Sequence, residues 1–170
     1  SRAVADRALA IAETLAHLRP DLAFLKEAAL LHDIGVYFTN APSIGCVGKY
    51  PYICHGYLGR QILEEKGLFR HALVCERHVG VGLSAADIRT ESLPLPERDM
   101  RPVSLEEEII CYADNFFSKK PNLNGRPLPF DSVVENVARY GPGKVDRLLE
   151  WAARFEGFGQ TGISSSGGGR

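Results

Sequence analysis

Five side chains in this sequence are too polar for the helix faces they occupy. Asp114 lies four residues after Ile110 and three before Phe117, so a helix that turns those two inward carries the carboxylate inward with them. His78 stands four after Val74, and His55 stands three before Leu58 and seven before Ile62. His32 ends an apolar stripe of Leu22, Leu25 and Ala29, and Asp33 follows it directly. A buried carboxylate is unfavourable unless it is paired or bound to a cation. Helical bundles build metal sites from such groups on facing helices. A lone inward histidine is more often a hydrogen-bonded core residue, but five such groups in one small chain would each need a separate buried partner. His32, Asp33, His55, His78 and Asp114 are therefore the candidate metal ligands. Nitrogen and oxygen donors without a thiolate suit Fe, Mn, Zn or Co rather than calcium or a soft metal.

The elements that must position them read as helices. Val4, Ala8, Ile11, Leu15 and Leu18 form one stripe on a helix already under way at residue 1. Arg19-Pro20-Asp21 breaks it, and Asp21 can cap a second helix that carries the His32 stripe and stops at Gly35. Neighbouring side chains on a helix diverge by about 100°, so His32 and Asp33 can face one ion only where the helix is ending. Residues 36–54 contain two prolines and two glycines and read as a long loop, a kind that is often functional. Helical pattern resumes over about His55 to Glu65 and Phe69 to His78, with a short capped turn at Ser84–Asp87. Ser104-Leu105-Glu106-Glu107 is a capping box opening a helix to about Ser118. Two further helices are expected at about 132–140 and 144–156. The expected fold is all-α, one domain over residues 1–156, with a flexible Gly/Ser-rich tail over 157–170.

The 170 residues, 45% hydrophobic and 24% charged, suffice for a real core without disulfide staples. A formal net charge of -1 gives no long-range field for nucleic acid or an anionic membrane. Cys46, Cys54, Cys75 and Cys111 contain no CxxC pair, so they read as reduced, mostly buried thiols. With no apolar run of membrane-spanning length and no signal-peptide pattern, a soluble cytoplasmic protein is expected.

Taken in order, Leu31-His32-Asp33-Ile34-Gly35, His55-Gly56, Arg77-His78 and Tyr112-Ala113-Asp114 resemble the HDIG signature and the remaining ligand segments of the HD-domain phosphohydrolase superfamily. The resemblance spans roughly residues 1–120. Its two intervening histidines are similar to those of the dinuclear branch, which includes HD-GYP phosphodiesterases and diadenosine tetraphosphate hydrolases of this fold. It implies a compact helical bundle and one or two divalent transition-metal ions. It implies further that His32, Asp33 and Asp114 hold the first ion, that Asp33 bridges to a second held by His55 and His78, and that Asp33 is catalytic. Family members carry one more histidine directly ahead of a stretch like Ser1-Arg2-Ala3-Val4-Ala5. The position before Ser1 falls four residues from Val4, on the same helix face, so Ser1 is expected beside the metal cavity.

The chemistry so implied is hydrolysis of a small phosphorylated substrate, such as a nucleotide, by metal-activated water. Arg77, Lys119 and Lys49 are candidate substrate-phosphate contacts, and Tyr50, Tyr52 and Tyr57 could stack on a base. His17 is expected outside the metal cluster, and His71, seven residues before His78, is expected near it or at the surface. An HD-fold di-iron oxygenase would use the same ligand types, and a non-catalytic metal or nucleotide sensor is a third reading. A nucleic-acid module is disfavoured by the neutral charge.

Overall fold

The computed structural model describes residues 1–118 and 125–157. The first apolar stripe forms α1 (Arg2–Thr14), burying Val4, Ala5, Ala8, Ile11 and Ala12. A 3-10 turn at Ala16–Leu18 follows and leaves Leu18 exposed. Asp21 caps α2 (Leu22–Leu31) by accepting from the Phe24 amide at 3.0 Å. Leu25, Ala28 and Ala29 are buried, whereas Leu22, in the first turn, remains exposed and does not share their environment.

The expected loop at 36–54 is largely organised. A 3-10 segment (Ile34–Phe38) leads into a two-stranded antiparallel ribbon, β1 (Asn40–Ala41) and β2 (Cys46–Val47), in which Asn40 pairs with Val47 and Ala41 with Cys46. The Asn40 amide donates to the Tyr50 carbonyl at 2.8 Å, and a 3-10 turn at Tyr52–Cys54 delivers the chain to α3 (His55–Glu65). That ribbon is the one departure from helix and turn among the named elements.

Gly35 does not stop α2, which ends at Leu31. It lies where the 3-10 segment crosses α3, and a Cβ built on it would meet the His55 carbonyl oxygen at 2.1 Å and the Gly59 amide nitrogen at 2.4 Å. Glycine is required there by backbone contact, not by chain reversal.

α4 (Phe69–Arg77) packs on α3, and α5 (Ala85–Thr90) carries a reciprocal capping box between Ser84 and Asp87. Mutual backbone hydrogen bonds between Leu83 and Met100 pin the proline-containing segment after α5. α6 (Leu105–Asp114) is shorter than expected. Ser104 does accept from the Glu107 amide at 3.2 Å, but the Glu107 carboxylate turns to the Val103 amide and to Arg77, so the box is only half formed. α7 (Phe130–Ala138) and α8 (Pro142–Glu156) form a C-terminal hairpin. One buried cluster draws Ala8 and Ile11, Leu25, Val74, Ile109 and Tyr112, Val133, and Leu148 and Trp151 together, from α1, α2, α4, α6, α7 and α8. No described helix is long and apolar enough to cross a membrane.

Candidate metal centre

Each candidate ligand stands at the end of a helix. His32 caps the C-terminus of α2, Asp33 follows it in a non-helical conformation (φ -100°, ψ 9°), and His78 caps the C-terminus of α4. His55 opens α3 directly after a 3-10 turn, and Asp114 is the last residue of α6. The end of α2 is what lets the adjacent His32 and Asp33 face one point.

The three imidazoles are held in the same way. His32 Nδ1 donates to the Ala29 carbonyl at 2.6 Å, His55 Nδ1 to Tyr52 at 2.7 Å, and His78 Nδ1 to Cys75 at 2.7 Å, each three residues back. A carbonyl oxygen can only accept, so each Nδ1 carries its proton and each Nε2 is turned inward. Metal-ligating histidines are oriented by this kind of partner. His55 Nε2 and His78 Nε2 lie 3.1 Å apart. With both Nδ1 atoms protonated, two neutral rings would bring lone pair against lone pair, so the pair calls for a cation, either a proton or a metal ion.

The carboxylates complete two overlapping groups, His32–His78–Asp114 and Asp33–His55–His78, whose ligand atoms lie within 4.8 Å of one another in each. Asp33 divides its oxygens between them. Oδ2 is 3.1 Å from His32 Nε2, while Oδ1 is 3.6 Å from both His55 Nε2 and His78 Nε2. Asp114 Oδ1 is 3.2 Å from His32 Nε2. Burial opposes a charge on His32, but Asp114 and Asp33 outweigh it and push the imidazole up to about 10. Burial likewise opposes ionisation of Asp33 and Asp114. Contacts with His32 and His78 hold Asp33 well below the usual carboxylate range, and the His32 charge holds Asp114 down. Burial, with Asp33 nearby, pushes the Cys75 thiol up to about 12, so it stays protonated and donates to the Leu31 carbonyl at 3.2 Å. The donor set and spacing fit divalent transition metals.

The centre opens into a cavity of about 780 Å³, lined at this end by His55, His78 and Asp114. Tyr52, expected as a stacking group, lines the cavity and packs its ring 4.7 Å from that of His55. Two of the three expected phosphate contacts, Arg77 and Lys49, stand elsewhere. Arg77 donates to both oxygens of the buried Glu107 at 3.0 and 2.9 Å and does not line the cavity, because α4 turns it toward the start of α6. Lys49 is exposed and also outside the cavity wall, and Lys119 lies outside the described residues. His17 is exposed in its 3-10 turn, and His71 packs against Phe24 and Glu27, so neither joins the cluster. Ser1 is exposed and is not among the residues lining the cavity. Sequence reasoning missed the lining residues Asn115, Asn136, Tyr140 and Lys144; of these only Asn115, next to Asp114, had a local signal.

Among proteins similar to this chain is an uncharacterized protein of Methanocaldococcus jannaschii, 33% identical over 120 residues, a match covering 70% of this chain and 60% of that protein. A tRNA (cytidine(56)-2'-O)-methyltransferase of Picrophilus torridus is 33% identical over 109 residues, covering 64% of this chain and 28% of the enzyme. The Thermoplasma volcanium protein of the same name is 28% identical over 141 residues, covering 82% and 36%. The chain thus spans less than two thirds of each of these relatives. No solved structure matches it. The HD domain model matches residues 1–118, the stretch that contains all five candidate ligands. By that match, the chain belongs to the HD domain family.

Proposed function

We propose that this protein is a metal-dependent phosphohydrolase that cleaves a small phosphoester, with His32, Asp33, His55, His78 and Asp114 holding two divalent ions. The observation that carries the reading is the facing pair of Nε2 atoms on His55 and His78, both with their Nδ1 protons committed to backbone carbonyls. Divalent ions held there supply Lewis acidity toward a phosphoryl oxygen and an attacking water. The protein's own part is positional. Asp33 presents one oxygen to each group of ligands, His78 belongs to both groups, and the helix-end carbonyls fix all three imidazoles before any ligand arrives. The cavity holds the rest of the substrate against the centre. Lys119 follows the cavity-lining Ser118 and serves as a phosphate contact in this reading. The methyltransferase names of two relatives are not carried over, since the chain covers 28% and 36% of those proteins.

The test is metal analysis followed by a phosphoester panel with Mn or Co in anaerobic buffer. Hydrolysis there, lost in Asp33→Ala together with the bound metal, supports the proposal. Tight iron retention with oxygen consumption would instead indicate an oxygenase. Metal binding without turnover of any phosphoester or oxygen would indicate a sensor.

A further inference from the structure

Glu107, Cys111 and Asn115 recur every four residues along α6 and its C-terminal cap, so they share one helix face. Their partners follow in the same order along the end of α4. Arg77 Nη1 donates to the two Glu107 oxygens at 3.0 and 2.9 Å. Cys111 Sγ lies 3.3 Å from the carbonyl oxygens of both His78 and Gly80. Asn115 Nδ2 donates to the Gly80 carbonyl at 2.6 Å and back to the Cys111 carbonyl at 2.8 Å. Both of these acceptors are carbonyls, which fixes the amide with its nitrogen toward them. The last carbonyls of a helix lack partners within it, and this strip of α6 supplies donors just past the end of α4.

The link joins two ligands. α4 carries His78 and α6 carries Asp114, and with His32 they form one ligand group. His78 is fixed independently against His55, because α3 and α4 meet backbone to backbone. A Cβ built on Gly56 would lie 2.8 Å from the Cys75 carbonyl oxygen, and Arg60 of α3 pairs with Glu76 of α4. Asp114 is the last residue of α6, so its direction depends on how that end is held. Glu107 acts about 10 Å back along the helix axis, whereas Asn115 acts at the residue next to the ligand. Asn115 lines the cavity, yet its amide nitrogen is committed to the protein's own backbone.

Resting on the metal-centre reading above, we propose that Asn115 is a positioning residue that sets where Asp114 stands relative to His78, so that the His32–His78–Asp114 group is formed before an ion arrives. Asn115 acts through Asp114, by tying the end of α6 to the turn that follows His78.

The experiment titrates Co2+ calorimetrically into the metal-free protein, Asn115→Ala and Asn115→Leu, and compares the product of the stepwise association constants. Both variants should lower it at least tenfold. Leucine fills a similar volume without donating, so a parent-like affinity in Asn115→Leu would assign the effect to packing and overturn the role. Thermal denaturation of the metal-free variants checks that they fold and reads any purely structural contribution separately. In Asp114→Ala, which keeps the Asp33–His55–His78 group, adding Asn115→Ala should change Co2+ affinity less than twofold. An equal tenfold loss there would overturn the role, since Asn115 would not be acting through Asp114. Affinities within twofold of the parent in both single variants would overturn it as well. Co2+ binding is read without substrate, so the expected losses support the role even if no phosphoester is turned over, and in that case only the hydrolase reading fails. A parent protein that binds no Co2+ would end both.

Discussion

His32 Nε2 lies 3.2 Å from Asp114 Oδ1, inside a site where the imidazole is fully buried. Together with Asp33, that contact raises His32 to about 10 despite the opposing effect of burial. Near neutral pH the metal-free imidazole is therefore protonated, and a metal ion must displace the proton. Metal affinity should rise about tenfold per pH unit between pH 7 and 9. Calorimetry in buffers of different ionisation enthalpy should report about one proton released from this group, and His32→Gln should abolish that release. The stability sign is opposite. A group raised above its unfolded value of 6.5 stabilises the metal-free fold fully below that pH, and the contribution is lost as pH approaches 10. A metal affinity independent of pH would contradict this assignment.

His78 belongs to both ligand groups, whereas His55 belongs to one. His78→Ala should therefore reduce the stoichiometry of both ions, and His55→Ala should leave the His32–His78–Asp114 group able to hold one. Elemental analysis of the purified variants reads this directly. Identical losses in the two variants would show that the centre binds as a unit.

Gly35→Ala should be severe. The added Cβ meets backbone atoms of His55 and Gly59, which cannot rotate away as a side-chain end could. Prying the 3-10 segment off α3 should destabilise the fold by about 3 kcal/mol and displace His55 along with Asp33. Gly143→Ala, in α8, meets nothing within 4 Å and should be neutral or stabilise by up to about 1 kcal/mol. Urea denaturation of both variants provides the comparison.

Glu76, only 1% exposed at its side chain, accepts from Arg60 and Arg98 on opposite oxygens. It joins α4 to α3 and to the segment after α5. Glu76→Gln keeps the shape and removes the charge, leaving two guanidiniums that are partly exposed and can rehydrate. The expected loss is about 2 kcal/mol, below the usual cost of stranding a fully buried charge. Chemical denaturation with metal bound should show the loss while metal stoichiometry stays unchanged.

The candidate ligands that the structure brings together could be picked out in the sequence because His32, His55, His78 and Asp114 each stand at the end of a helix whose apolar spacing fixes its direction, and because helix-end signals are local. The Asp21 and Ser104 caps and the bounds of α3 are signals of that kind. The expected phosphate contacts were placed by proximity to ligands along the chain, and proximity does not fix direction. Arg77 adjoins His78 yet points to Glu107, about one helical step away. Gly35 was read as a terminator because its role depends on a crossing with α3, which no local pattern shows. The same holds for Asn136, Tyr140 and Lys144, which reach the cavity only through the packing of the C-terminal hairpin.

The carbonyl three residues behind each histidine has a thermodynamic consequence. Because every imidazole is aimed by its own turn, loading the site requires little rearrangement of the chain. Metal binding should then show a small heat-capacity change, and a chelator should remove the ions without melting the helices. A loaded and a stripped molecule would have almost the same far-ultraviolet circular dichroism and differ mainly in how hard they are to unfold.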